Sequence, residues 1–153
     1  MKNMFRVVAI SVFAAMLLPA LTQAQTPVRP FHDGPVWDIT FVRAKPGVGL
    51  KYMNYLATDW KTEQEALKKA GLILDYKVIG TEAHGTTDWD LMLMTEFKDL
   101  ATMEANQDKR EEVTNKALKS DDQKMIAGYE ERASWREIVG DRVAREIILE
   151  PKK

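Results

Sequence analysis

Three aspartates are the residues of this sequence whose type and spacing first suggest chemistry. Asp38, Asp75 and Asp90 lie in segments where apolar and polar residues alternate. Neighbouring carboxylates either recruit a cation or raise one another's pKa. Single carboxylates on successive strands are also ordinary structural residues, and no dense set of ligands accompanies these three. The sequence therefore favours outward-facing acids paired with Lys77 or with a partner chain, and it predicts no metal site and no cofactor.

Histidine and hydroxyl side chains give little support for catalysis. The two histidines are His32, in a proline-rich segment, and His84, beside Gly85. His84 could act as a general base near neutral pH, but no carboxylate adjoins it in sequence, so a solvated loop residue is favoured. Ser134 lacks the Gly-x-Ser-x-Gly setting of a serine hydrolase, and glycine-rich phosphate loops are absent from the sequence. The sequence identifies no catalytic residue and leaves open whether the protein is an enzyme.

An N-terminal leader precedes the elements that must position these residues. Residues 1–24 combine Lys2 and Arg6 with an apolar run from Val7 to Leu18, followed by small residues suited to a signal peptidase. The run is shorter than the roughly 20 apolar residues of a spanning helix. We expect cleavage before Gln25 and export to the periplasm or the medium, with no membrane anchor retained after cleavage.

The remainder of the chain has the size and composition of one domain. Of the 153 residues, 45% are hydrophobic and 29% charged, and the formal net charge is −1. This balance, without a block of basic residues, argues against a nucleic-acid partner or an anionic membrane surface. The chain has no cysteine, so disulfides and thiolate sites are excluded. Residues 25–35, rich in proline, predict an extended linker, and residues 36–150 a single domain.

The hydrophobic periods of that domain alternate in the order strand, helix, strand, strand, helix, strand. Alternation predicts strands over 36–43, 72–79, 88–97 and 143–149, and steps of three and four residues predict a helix over 48–70 and a broken helical layer over 99–138. Two tandem strand-helix-strand units pack best as a four-stranded antiparallel sheet with both helices on one face. The predicted fold is therefore α+β, a ferredoxin-like βαββαβ arrangement.

The alternation also divides the residues between the two faces of the sheet. The face expected beneath the helices carries Trp37, Ile39, Phe41, Leu74, Tyr76, Leu91, Leu93 and Ile147. The opposite face mixes apolar and charged residues: Asp38, Thr40, Val42, Ile73, Asp75, Lys77, Ile79, Asp90, Met92, Met94, Glu146 and Ile148. Such a mixture is too apolar for water and too charged for a core. The candidate ligand-binding residues on it are Asp38, Thr40, Lys77, Asp90, Met92 and Glu146, although gap-filling at a dimer interface explains the methionines more simply.

The sequence resembles the dimeric α/β-barrel superfamily in three features. They are the order of the elements, Lys45-Pro46-Gly47 before the first helix, and a sheet with one apolar face and one face that mixes apolar and charged residues. That superfamily includes antibiotic-biosynthesis monooxygenase-like and NIPSNAP-like domains, and the resemblance covers roughly residues 36–149. It implies a homodimer whose two sheets lie face to face around a cavity. In monooxygenase-like members such a cavity oxidises aromatic or polyketide substrates without metal or flavin. Haem-degrading members use an Asn, Trp and His set that cannot be placed in this sequence.

Three functions are compatible with these expectations. The leading hypothesis is an exported homodimer that binds a small, partly apolar molecule in a sheet-lined cavity. The first alternative is a cofactor-independent monooxygenase-like enzyme that uses the same cavity. The second alternative is a non-catalytic structural or stress-associated module, in which the mixed face serves only to hold two subunits together.

Overall fold

The structure of the protein, a computed structural model, describes residues 29–82, 85 and 88–151. The predicted leader, the first part of the predicted linker and His84 lie outside the described residues. Within the described ranges, no helix is long and apolar enough to cross a membrane.

Four strands form one antiparallel sheet with the order β2-β3-β1-β4. They are β1 (Phe31–Ala44), β2 (Asp75–Gly80), β3 (Leu91–Phe97) and β4 (Arg136–Leu149). β1 lies in the interior of the sheet between β3 and β4, and β2 pairs with the other edge of β3. Helices connect β1 to β2 and β3 to β4, which gives the ferredoxin-like α+β topology and confirms the predicted fold class.

The first helical segment is continuous from residue 49 to residue 69. It consists of α1 (Gly49–Tyr55), a π-helical turn (Leu56–Trp60) and α2 (Lys61–Lys69). Gly71 follows it with a φ of +69°, a conformation that glycine adopts without strain and that ends many helices. The predicted helix over 48–70 is confirmed to within a residue at each end.

The second helical layer contains three helices. They are α3 (Leu100–Ala105), α4 (Gln107–Leu118) and α5 (Asp122–Ala133). The Asp99 carboxylate caps α3 by accepting a hydrogen bond from the backbone N–H of Thr102 at 2.6 Å. Asp121 caps α5 in the same way, by accepting a hydrogen bond from the backbone N–H of Lys124 at 2.9 Å.

The two longest strands begin earlier than alternation predicted. β1 begins at Phe31 rather than at residue 36, and a bulge at Gly34 and Pro35 separates its first residues from the rest. A bulge accommodates Pro35 because proline has no N–H for the ladder. β4 begins at Arg136, seven residues before the predicted start, because its backbone pairs with β1 as far as Ala44. β2 and β3 each begin three residues later than predicted, at Asp75 and Leu91.

The face of β1 that lies beneath the helices is the opposite of the one that the sequence predicted. Asp38 pairs with Thr95 and Thr40 with Leu93, and directly paired residues lie on the same face of a sheet. Val42, two residues further on, packs with helical Tyr52. The residues of β1 beneath the helices are therefore Val36, Asp38, Thr40 and Val42. The open face carries Trp37, Ile39 and Phe41.

Two clusters of buried hydrophobic residues lie between the sheet and the helices. Trp37 and Ile39 are also buried, at 6% and 9% exposure, although they lie on the face that the described helices leave open. The first cluster contains Val42, Tyr52, Leu56 and Leu93. The second cluster contains Leu67, Leu72, Ile73 and Phe97. Ile73 had been expected on the open face, but it precedes β2 and is buried. Leu74, expected beneath the helices, is largely exposed.

Candidate functional site

A cavity of about 490 Å³ lies between the sheet and the helices. Its floor is the helix-covered face of three strands and carries Asp38, Thr40, Leu93, Thr95, Ile138 and Asp141. The first helical segment forms one wall, and α4 and α5 form the other. The cavity therefore lies within one subunit. The sequence had predicted a cavity between the sheets of two subunits.

The first helical segment directs one continuous stripe of side chains into this cavity. The stripe contains Tyr52, Tyr55, Asp59, Trp60, Glu63, Gln64 and Leu67. The π-helical turn lies in the middle of it, and such turns change the side-chain period locally and occur often at functional sites. Leu50 and Met53, apolar residues of the same segment, do not line the cavity and are 77% and 43% exposed. The stripe that faces the cavity is therefore partly polar.

One end of the cavity is cationic and aromatic. The guanidinium of Arg132 lies 4.9 Å from the ring centre of Tyr55 and 5.0 Å from that of Tyr129. The guanidinium of Arg136 lies 5.5 Å from the ring centre of Tyr52 and 5.8 Å from that of Tyr129. Cation-π contacts of this kind fix the position of a guanidinium while its N–H edge remains able to donate.

Gly128 makes room for Arg132 on α5. A Cβ atom at residue 128 would lie 2.9 Å from Nη1 of Arg132, which is one helical turn further along. A larger residue would force the flexible guanidinium to move. The glycine therefore helps to set the position of Arg132 at the cavity wall.

Two buried polar atoms at this end make no hydrogen bond of good geometry with the described residues. They are the hydroxyl oxygen of Tyr52, a residue that is 0% exposed, and Nε of Arg132. Burial raises the pKa of Tyr52, and both the positive charge of Arg136 and the approach of its guanidinium to the phenol oxygen oppose that rise. Burial likewise raises the pKa of Tyr55 to about 12. Both phenols are therefore neutral O–H donors at neutral pH.

The floor of the cavity is acidic toward the middle of β1 and β4. Burial raises the pKa of Asp38, the charge of Asp141 raises it further, and Arg110 opposes both effects. Burial also raises the pKa of Glu63, although the Thr114 hydroxyl donates to Glu63 Oε1 at 3.3 Å. Carboxyls with raised pKa values accept or donate protons more readily near neutral pH than solvated ones.

The predicted ligand-binding residues do not converge. Asp38 and Thr40 line the cavity. Lys77, Met92 and Glu146 lie on the open face, where Lys77 Nζ is 4.7 Å from the Trp37 ring centre and Trp37 Nε1 donates to Glu146 Oε1 at 3.4 Å. Asp90 has a structural contact, because its carboxylate accepts a hydrogen bond from the backbone N–H of Ala44 at 2.6 Å.

The described residues include no group of three His, Asp or Glu side chains placed to hold a metal ion. His32 Nδ1 lies 2.7 Å from Glu150 Oε1, and both side chains are exposed. This pair is far from the cavity lining and joins the beginning of β1 to the end of β4. His32 thus has a surface contact and no place in the candidate site.

Sequence reasoning missed the cationic end of the cavity. Tyr52, Tyr55 and Glu63 share a helical face with buried Leu56 and Leu67, and polar residues on a buried face are a signal that the sequence did contain. Arg132 and Arg136 gave no such signal. They meet the first helical segment only through the tertiary fold, at the junction of α5 and β4.

Comparison with known proteins gives a likeness of fold. No protein-family model matches the sequence, and no curated protein matches it significantly. A dimeric protein of unknown function and ferredoxin-like fold from Bacteroides fragilis is similar to this chain, with a TM-score of 0.42 and 19% sequence identity over 76% of this chain and 97% of that chain. The resemblance to monooxygenase-like and NIPSNAP-like domains stays a prediction. The strand order and pairings of the chain itself establish that its fold is ferredoxin-like.

Proposed function

We propose that the protein binds a small, partly apolar molecule in the cavity between its sheet and its helices. The observation that carries the proposal is the buried hydroxyl of Tyr52, a residue that lines the cavity. The guanidinium of Arg136 approaches the hydroxyl oxygen, but the described residues provide no acceptor for the hydroxyl proton. An unpaired buried hydroxyl costs about 1–3 kcal/mol, and a bound ligand that pairs with it would recover this cost.

The size and lining of the cavity support a ligand of this kind. Its volume of about 490 Å³ falls within the roughly 300–1,000 Å³ typical of small-molecule sites. Trp60, Leu67, Leu93 and Phe97 provide apolar contacts. Hydroxyl, guanidinium and carboxyl groups supply the few polar contacts that orient a ligand.

The protein functions as a homodimer that associates through the open face of the sheet. Ile39 pairs with Met94 and Phe41 with Met92, so their side chains form one apolar surface. Ile79, beside Met92, is 42% exposed. The described helices pack on the other face. Ile39 is already buried in one subunit, whereas Phe41, Met92, Met94 and Ile79 remain partly exposed. A second copy would remove the exposed parts of these four side chains from water, as the dimeric barrel arrangement requires.

The protein is exported, and its leader is cleaved before Gln25. The charge and apolar pattern of residues 1–24 supports this proposal. Expression of the whole chain in a bacterium, followed by mass spectrometry of the periplasmic fraction, would yield a polypeptide that begins at Gln25. A product found only in the cytoplasm with its leader intact would contradict export.

Binding can be tested by filling the cavity. Thr40→Phe places a ring on the cavity floor, whereas Thr62→Phe adds the same group to an exposed site on the first helical segment. Isothermal titration with benzyl alcohol, benzamide and benzoate should detect binding of at least one compound to the wild-type protein and to Thr62→Phe, and a loss of at least about tenfold in affinity for Thr40→Phe. Binding to none of them by the wild-type protein, or undiminished binding by Thr40→Phe, contradicts the proposed site.

The monooxygenase-like enzyme remains the alternative function. It predicts oxygen consumption and product formation with a panel of quinols, whereas the binding function requires neither. Complete inactivity of the wild-type protein with that panel would remove the alternative and leave the binding proposal unchanged.

A further inference from the structure

We infer that Tyr52, Arg132 and Arg136 form a subsite for a carboxylate, so that the natural ligand of the cavity is a small organic acid. The inference rests on the proposed function, because it names the chemistry of the molecule bound there. Each of the three side chains lines the cavity. They come from α1, α5 and β4, which only the folded chain brings together.

The first support is that two hydrogen-bond donors of the subsite have no acceptor among the described residues. The Tyr52 hydroxyl and Arg132 Nε are buried donors without partners in the described part of the chain. Buried polar groups in native proteins are nearly always paired, so each unpaired donor indicates a missing acceptor. A carboxylate provides two acceptor oxygens and can receive hydrogen bonds from both donors.

The second support is the setting of the two guanidinium groups. Neither Arg132 nor Arg136 forms an ion pair with any carboxylate of the described residues, in contrast to Arg43 and Arg145, which pair with Glu137 and Asp33. Arg132 and Arg136 instead contact the faces of tyrosine rings. Their N–H edges remain suited to the planar, bidentate recognition of a carboxylate.

The third support is the separation of charge along the cavity floor. Arg136 pairs with Ala44 at one end of β1, and Asp141 pairs with Thr40 nearer its middle. Five residues of strand separate Arg136 from Asp141, which corresponds to roughly 15 Å. A small acid bound at the cationic end therefore lies away from Asp38 and Asp141. Glu63 also lines the cavity, and its carboxyl interacts with the charge of Arg132, so two guanidinium groups face this one nearby acid. Two cations that face one cavity are also stabilised by an anion between them.

Benzoate and its neutral isostere benzamide distinguish a carboxylate subsite from a general cavity. We expect the purified protein to bind benzoate at least about tenfold more tightly than benzamide in isothermal titrations at low ionic strength, a difference expected for a charge-assisted pair. Arg136→Gln and Tyr52→Phe should each weaken benzoate severalfold or more and leave benzamide nearly unchanged. Arg142→Gln removes the same charge from β4 on the open face and should leave both affinities unchanged.

The outcomes separate the two proposals. Equal affinity for benzamide and benzoate would overturn the carboxylate subsite and leave the proposed function intact. Binding of neither compound, nor of benzyl alcohol, would overturn both. An equal loss of benzoate affinity in Arg142→Gln would show a general charge effect and overturn the subsite. If Arg136→Gln fails to fold, Tyr52→Phe decides, because it removes only an unpaired hydroxyl.

Discussion

The two faces of the sheet differ in a way that polarity alone would not predict. The face beneath the helices carries Asp38 and Thr40 on its central strand, and the open face carries Trp37, Ile39 and Phe41 at the alternate positions. The more polar face is the one beneath the helices, here called the enclosed face, and it forms the floor of a cavity that leaves Asp38 exposed to solvent. On the other face, Trp37 and Ile39 are only 6% and 9% exposed. The more apolar face is left open by the described helices because, in our proposal, a second copy covers it. The chemistry of each face thus reflects what it contacts, a ligand or another subunit.

The largest expected effect comes from the packing that supports the enclosed face. Leu56 is 4% exposed and belongs to the first core cluster, beside the cavity. Leu56→Ala should lower the free energy of unfolding by about 2–5 kcal/mol, through lost burial and the space left behind. Leu50→Ala, at an exposed site in the same helical segment, should change it by less than about 0.5 kcal/mol. Urea unfolding of both variants makes the comparison, and equal losses would contradict the assigned helix face.

A charged residue introduced on the open face should weaken the association of two subunits. Met94→Asp places a carboxylate at the centre of that face, where its desolvation opposes dimer formation, and should weaken the dimer by at least about tenfold. Met53→Asp makes the same change on the exposed side of α1 and should leave the dimer intact. Light scattering across a concentration series measures both. A wild-type protein that is monomeric at every concentration would contradict the role of this face.

The order of the elements could be predicted from the sequence, but the assignment of faces could not. The period of two in β1 establishes that Asp38 and Thr40 share a face. It does not establish which face the helices cover, because Val36 and Val42 make that face apolar at both ends. β4 was predicted too short because backbone pairing with β1, which side-chain periodicity does not report, holds Arg136 to Arg142 in the sheet.

The position of the cavity could be predicted from the sequence even less well than the assignment of faces. Asp38 and Thr40 were predicted to line a cavity between two subunits, whereas they line a cavity within one subunit. Tyr52 and Tyr55 belong to a local helical pattern and were visible in principle. Arg132 and Arg136 line the same cavity through contacts between distant parts of the chain, which no single-sequence pattern encodes.

Tyr52 links the stability of the enclosed face to its function. Tyr52→Phe should raise the free energy of unfolding of the unliganded protein by about 1 kcal/mol, because it removes a buried hydroxyl whose proton has no acceptor among the described residues. Tyr76→Phe is the matched control, since the Tyr76 hydroxyl donates to Glu65 and its loss should lower stability slightly. Thermal or urea unfolding tests both variants. A destabilised Tyr52→Phe would indicate that the hydroxyl is already paired.

The smallest expected effect is a pH dependence at Asp38. Its raised pKa means that the folded protein holds this proton more tightly than the unfolded chain, so stability falls as pH rises from about 3.8 through the folded-state pKa. Asp38→Asn should match the wild-type protein at pH 3 and exceed its stability at pH 7, by less than about 1 kcal/mol because water reaches the carboxyl through the cavity.

Asp99 provides a control of opposite sign. Hydrogen bonds from Thr102 hold the pKa of Asp99 below its usual value, so its contribution to stability is present above about pH 3.8 and is lost as pH falls further. The deficit of Asp99→Ala should therefore be largest at pH 7 and shrink in acid. Urea unfolding across this pH range compares the two variants, and parallel pH profiles would contradict the assignment of Asp38 to the enclosed face.

Methionine methyl resonances provide the most direct test of where the ligand binds. Met125 lines the cavity, whereas Met92 and Met94 lie on the open face. In a benzoate titration of the purified protein labelled at its methionine methyl groups, the Met125 signal should shift to saturation while those of Met92 and Met94 stay in place. Shifts at Met92 and Met94 with an unchanged Met125 would place the ligand on the open face and contradict a site between the sheet and the helices.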